Sequence, residues 1–197
     1  MTDPARDAKA ARDAKRENSA GRLFVGCALA EQVRAHLQSR VSTEALPGKV
    51  VPPENWHLTF RFLGETVKDA HAKLIDELGR ESLGASAEIA FGGYGAFPRI
   101  ERATVLWLGV TQGVDALNDI ASRVERAVRR AGFPAEQRPF NPHLTLSRLK
   151  PAQDVRTEVA TPPAISLPML VDRVVVFRSH QVPTGVRYEE LESFRLS

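Results

Sequence analysis

Two short runs, Asn55-Trp56-His57-Leu58-Thr59 and Asn141-Pro142-His143-Leu144-Thr145, share one pattern of asparagine, any residue, histidine, leucine and threonine, 86 positions apart. In an extended strand, residues two apart project from the same face about 6 to 7 Å from each other. Each imidazole is therefore accompanied by one hydroxyl. Imidazole titrates near neutral pH, so of two rings one can hold a proton while the other lacks it, as paired general acid and base catalysis requires. Threonine hydroxyls carry protons poorly but donate hydrogen bonds well, and a phosphate oxygen is their natural acceptor. Two such strands side by side would aim two histidines and two hydroxyls into one cleft.

Each copy alone also fits a plain reading, in which His57 and His143 are half-exposed strand residues and Thr59 and Thr145 reflect β-propensity. Repetition of the whole pattern weighs against it. A zinc site is a further alternative, but a third histidine or a carboxylate at a recognisable spacing is missing, and no HExxH arrangement is present. His36, His71 and His180 have no threonine partner and are expected at the surface. Cys27 is the only cysteine, which excludes an internal disulfide, and its apolar setting in RLFVGCALA reads as a small buried hydrophobe.

The elements that must position these residues can be read from periodicity. RLFVGCAL is a compact apolar strand, AEQVRAHLQSRV is helix-like, and LPGK breaks it. In NWHLTFRFLG, strict alternation places His57, Thr59, Arg61 and Leu63 on one side and Leu58, Phe60 and Phe62 on the other. Val67, Ala70, Leu74, Ile75 and Leu78 then follow helical spacing. SAEIAFGGYGAFP and ATVLWLGV read as two strands. A second amphipathic helix carries Val114, Leu117, Ile120, Ala121, Val124 and Val128, and stops at Gly132 and Pro134. RPFNPHLTLSRLK is another alternating strand. After a polar stretch near 152–163, MLVDRVVVFRS and VRYEELESFRL suit a hairpin turning at HQVPTG.

This order predicts an α+β fold of two pseudo-symmetric lobes, each of mainly antiparallel sheet with outer helices, and an active-site cleft between them. There is no glycine-rich phosphate loop and no strict βαβ alternation. Residues 1–21, rich in alanine and charge, are expected to be a disordered tail, with an arm contacting nucleic acid as the sharper alternative. Residues 22–197 are expected to form a single bilobal domain.

Of the net charge of +3, the first 22 residues account for +2, with six Lys/Arg against four Asp/Glu. The nearly neutral body argues against broad charge-driven binding to nucleic acid, so an anionic substrate must be caught locally. No apolar run is long enough to span a bilayer and the start has no signal-like apolar core. A cytoplasmic protein with no membrane partner is expected, and a monomer, since no heptad pattern appears.

The pair HLTF and HLTL resembles the two HxTx signatures of the 2H phosphoesterase superfamily, specifically the RNA 2′,3′-cyclic phosphodiesterases, historically called 2′-5′ RNA ligases. RLFVGCAL, NWHLTFRFLGE, FNPHLTLSRL and the closing RVVVFRSHQVPTGVRYEELESF extend the resemblance over residues 22–196. It implies metal-independent hydrolysis of RNA ends bearing a 2′,3′-cyclic phosphate, or of cyclic nucleotides, to a 2′-phosphate, without a cofactor. It also implies that His57 donates a proton, that His143 activates water, and that Thr59 and Thr145 hold the phosphate. Arg148 matches an arginine of the second motif, yet strict alternation points it away from His143, so it reaches the phosphate only if the strand twists or bulges. Phe24 or Tyr188 could stack a terminal base. Reversible 2′-5′ ligation on the same residues, or a non-catalytic module that binds RNA ends, are the alternatives.

Overall fold

The computed structural model describes residues 17–165, 168–183 and 185–197. The expected disordered tail therefore lies outside the described residues except at its end, where β1 (Ser19–Ala28) begins before Arg22. The first half continues with α1 (Glu31–Arg40), the two-residue β2 (Lys49–Val50), β3 (His57–Val67) and α2 (Lys68–Arg80). The second half runs through β4 (Ala87–Phe97), β5 (Ala103–Gln112), α3 (Val114–Arg130), β6 (His143–Gln153) and the short α4 (Arg156–Ala160). Three strands close the chain: β7 (Pro168–Val171), β8 (Arg173–Val182) and β9 (Gly185–Arg195).

The strands form one sheet in the order β7-β4-β5-β6-β3-β1-β8-β9, with β2 added beside β6, and every pairing is antiparallel. The order is a palindrome about the β6/β3 junction. The strand β6 that follows α3 lies beside β5 just as β3, the long strand that follows α1, lies beside β1, which is the expected two-lobe repeat. At the junction β3 and β6 meet at a single registered pair, Leu58 with Leu144, beside which β2 adds Lys49 with Arg148 and Val50 with Ser147.

MLVDRVVVFRS is not one arm of a hairpin. Asp172 divides it into β7, paired with β4 at one edge of the sheet, and β8, paired with β1 and β9 near the other. A flat sheet would separate β7 from β8 by six strand spacings, roughly 29 Å. One intervening residue spans only about 7 Å, so the sheet must curl until its ends meet. The turn after β8 is also tighter than HQVPTG implies: His180, Gln181 and Val182 belong to β8, and Thr184 lies outside the described residues.

Helix α3 buries Leu117, Ile120, Ala121, Val124, Ala127 and Val128, a stripe at three- and four-residue spacing. Leu74 and Leu78 of α2 join the same core, together with Leu58, Phe60, Leu144 and Leu146 from the two histidine strands. Val67, assigned to that helical stripe by its spacing, instead ends β3 and is 48% exposed. Leu58, Leu74, Leu117 and Leu144 have no solvent exposure, and burying each contributes on the order of 1.5–3 kcal/mol. Because Leu58 and Leu144 anchor the helix-facing side, the residues flanking them in the strand must face the other way.

Candidate active site

The register Leu58↔Leu144 sets the site. Continued by one residue each way in an antiparallel ladder, it places His57 across from Thr145 and Thr59 across from His143. Each histidine thus has one threonine beside it in its own strand and another across the junction. All four line one cavity of about 1210 Å³.

Both histidine strands then bulge at the same place. Thr59 pairs with Gly26 and Arg61 with Val25, so Phe60 is the extra residue in β3. Thr145 pairs with Trp107 and Ser147 with Leu106, so Leu146 is the extra residue in β6. Each bulge reverses the alternation. In β3, the residues paired with Ala28, Gly26 and Phe24 on one face of β1 are His57, Thr59 and Phe62. In β6, those paired with Gly109, Trp107 and Val105 of β5 are His143, Thr145 and Arg148. Arg148 therefore faces the cleft and lines it, which resolves the conflict between its parity and its place in the motif. Arg61 is the opposite case: alternation assigned it to the histidine face, but its guanidinium reaches Glu125 of α3 at 2.8 Å.

Each imidazole is fixed by the asparagine two residues before it. Nδ1 of His57 lies 2.7 Å from the carbonyl of Asn55, and Nδ1 of His143 lies 2.7 Å from the carbonyl of Asn141. A carbonyl only accepts, so Nδ1 carries the proton and Nε2 is left for chemistry in both rings. Asn55 does more. Its buried amide donates to the carbonyl of Val186 at 2.7 Å, tying β9 to the floor of the cleft.

Aromatic rings wall both histidines. Phe24 lies 4.7 Å from the His57 ring centroid and Tyr188 stands edge-on at 4.8 Å. Phe97 stands edge-on to His143 at 5.0 Å, with Trp107 at 5.8 Å. Trp107 lies so flat over Gly95 that a methyl group there would overlap the indole, so β4 needs glycine at that position. Burial among these rings pushes the His57 imidazole down to about 4, against the hydrogen bond to Asn55; the charges of Arg148 and His143 lower it further. His143 is lowered for the same first reason, and Arg148 again adds to it. The cation of Arg148 is thus felt at both rings, and at the Tyr188 phenol.

The family described as LigT like Phosphoesterase matches residues 28–107 and again residues 108–188, one match to each half of the chain. The chain belongs to the LigT-like phosphoesterases. Curated relatives in this LigT-like group include the RNA 2′,3′-cyclic phosphodiesterase of Aeropyrum pernix, 36% identical over 121 residues, 61% of this chain and 68% of that protein. That of Methanothermobacter thermautotrophicus is 30% identical over 191 residues, 89% of this chain and 98% of its own. Escherichia coli LigT in its apo form superimposes with a TM-score of 0.76 at 26% identity, covering 90% of this chain and 98% of that one. Its complex with 3′-AMP gives the same TM-score at 25% identity, with coverage of 91% and 99%.

Within this LigT-like frame several sequence expectations change. Phe24 is 2% exposed and stacks on Phe177 at 4.8 Å, so it supports His57 and cannot offer a face to a base. Tyr188 does line the cleft. Phe62, assigned by alternation to the helix side, is 60% exposed in the cleft wall. Its signal was present in the sequence: it stands five residues after His57, where the second copy has Arg148. His180 is not a free turn residue but pairs with Glu189 at 2.7 Å, and His36 and His71 each bury an Nε2 without a partner. Cys27 is buried and its thiol is pushed up to about 12, chiefly by desolvation, in keeping with a structural role. No helix among the described residues is long and apolar enough to cross a membrane.

Proposed function

We propose that the chain hydrolyses RNA ends carrying a 2′,3′-cyclic phosphate, with His57 as general acid and His143 as general base. The observation that carries this reading is the crossed quartet, two imidazoles presenting Nε2 to one cleft with a threonine hydroxyl on either side of each. Family membership supports the reaction class, and the curated relatives bear the corresponding name.

In the proposed step, His143 Nε2 takes a proton from water as the water oxygen attacks phosphorus. The bond from phosphorus to the ribose 3′-oxygen breaks, and His57 Nε2–H gives its proton to that oxygen. One water is consumed, a 2′-phosphate results, and one proton has moved from His57 to His143, to be returned through solvent. Thr59, Thr145 and Arg148 stabilise the charge on the non-bridging oxygens. Burial keeps His57 neutral at pH 7 in the open cleft; the negative phosphate, on entering, offsets desolvation and holds the acid's proton. Phe62, not Phe24, offers an exposed aromatic face to the terminal base.

The test is an oligoribonucleotide ending in 2′,3′-cyclic phosphate, incubated with the protein in EDTA beside His57→Ala and His143→Ala variants. Hydrolysis that survives EDTA and falls by about 10²- to 10⁴-fold in each variant is expected. Turnover unchanged in either variant overturns the assignment of that histidine. Abolition by EDTA overturns the metal-free mechanism.

A further inference from the structure

The cavity that holds the histidines is larger than the reaction at its floor requires. Its volume of about 1210 Å³ exceeds the roughly 300–1,000 Å³ of ordinary ligand pockets. It extends past the quartet along the loop between α3 and β6, where Glu136, Arg138, Pro139 and Phe140 line it, to Asn118 and Ser122 on α3.

Arg61 holds this loop in place. With its side chain only 10% exposed, it donates Nε–H to Glu125 at 2.8 Å, one Nη to Glu136 at 3.1 Å and the other to the carbonyl of Pro134. The Glu125 carboxylate also accepts from the Glu136 backbone N–H at 3.0 Å, and Glu136 accepts from the backbone N–H of Arg138 at 3.2 Å. The cluster sets one guanidinium against two carboxylates, and the charge of Arg138 acts on Glu136 as well. The loop is thus presented in one conformation, and what it presents to the cleft is Arg138.

Three arginines line the cavity: Arg61, Arg138 and Arg148. Arg61 is consumed by Glu125 and Glu136, whereas neither Arg138 nor Arg148 forms a salt bridge among the described residues. Arg148 stands beside the histidines in β6, where its charge lowers both imidazoles, whereas Arg138 lines the cavity from the loop before β6, where its charge acts on Glu136. A cyclic phosphate brings one negative charge, which Arg148 meets at the histidines, and the Arg138 guanidinium, outside any salt bridge among the described residues, is placed to meet a second. In an RNA chain the second is the phosphodiester on the 5′ side of the terminal nucleotide.

We propose that Arg138, on the loop fixed by Arg61, binds the phosphodiester 5′ of the terminal nucleotide. The space beside Asn118 and Ser122 then takes the penultimate nucleoside. This deepens the proposed function and rests on it: the substrate is an RNA strand end, and a cyclic mononucleotide fills only half of the site.

The experiment compares kcat/KM for adenosine 2′,3′-cyclic phosphate, for the diadenosine dinucleotide ending in 2′,3′-cyclic phosphate, and for that dinucleotide with a neutral methylphosphonate at the internal linkage. Wild type should prefer the charged dinucleotide by about tenfold or more, through KM, the worth of one charge-assisted hydrogen bond or two. Arg138→Gln should collapse that preference, the methylphosphonate should collapse it in wild type, and the two together should cost no more than either alone. Equal kcat/KM for mono- and dinucleotide in wild type, or losses that multiply when combined, overturns the subsite while leaving the phosphodiesterase reading intact. Failure of wild type to hydrolyse any of the three overturns both.

Discussion

Phe62 and Arg148 occupy equivalent positions, each five residues after a cleft histidine, and each is turned onto the histidine face by a bulge three residues after it. The scaffold is symmetric at this point, but the side chains are not: one offers an aromatic face, the other a cation. Their substitutions should separate kinetically. Phe62→Ala should raise KM about tenfold or more with kcat nearly unchanged, since stacking on one aromatic ring is worth about 1–3 kcal/mol in substrate binding. Arg148→Gln should lower kcat by about 10²-fold, as loss of a donor to developing charge does. Steady-state kinetics on an RNA end with a cyclic phosphate reads both; a kcat defect in the first or a pure KM defect in the second contradicts these roles.

The proton inventory of the cleft predicts an unusual pH profile. The proposed mechanism needs one imidazole protonated and the other neutral, yet both are lowered in the free protein, His57 to about 4. The singly protonated pair is therefore most populated on the acid side of pH 6.5. We expect kcat/KM to peak there and to fall toward neutrality, while kcat peaks at higher pH because bound phosphate stabilises the imidazolium. Coincident optima at or above pH 7 contradict this expectation.

Stability should follow the same groups. An imidazole that titrates near 4 when folded and near 6.5 when unfolded leaves the unfolded chain with more bound protons between those values. Stability from this source is complete above pH 6.5 and is lost as pH falls toward 4. The thermal midpoint should drop over that window, and drop less in His57→Gln, measured by calorimetry from pH 7 to 4. Equal slopes for the two proteins rule out His57 as the source.

Leu144 has no solvent exposure and forms the one registered pair between β3 and β6. Leu144→Ala should cost about 2–5 kcal/mol of unfolding free energy in denaturant titration. Because it also loosens the strand that carries His143, kcat should fall beyond what the folded fraction explains. Unimpaired kcat in the folded fraction shows that the junction is not what holds the histidines.

The gathering of the two histidines and two threonines in one cleft was legible in the sequence because it rests on a repeat. His57 with Thr59 and His143 with Thr145 are each ambiguous alone, and their shared spacing is what makes them a pair. Alternation failed past those residues. A bulge is a backbone event that no residue type in HLTFRFL or HLTLSRL announces, and it turns Arg61 away from the histidine face toward α3 while bringing Phe62 and Arg148 onto that face. The division of MLVDRVVVFRS at Asp172 was hidden for a related reason: its apolar content describes burial on both sides of the break but not the partner strand. The Arg61 cluster unites residues from β3, α3 and the loop before β6, a proximity that only the folded sheet creates.

The tie between Asn55 and Val186 spans 131 residues, and β8 lies against β1 across a still longer stretch, Arg22 pairing with Ser179 and Gly26 with Val175. Since synthesis runs from the N-terminus, the first lobe emerges long before the strands that complete its sheet, and such distant contacts form slowly. His57 gains Tyr188 as its neighbour only when β9 arrives. Nascent chains still on the ribosome, surrounded by RNA, hold both histidines well before they hold a finished cleft.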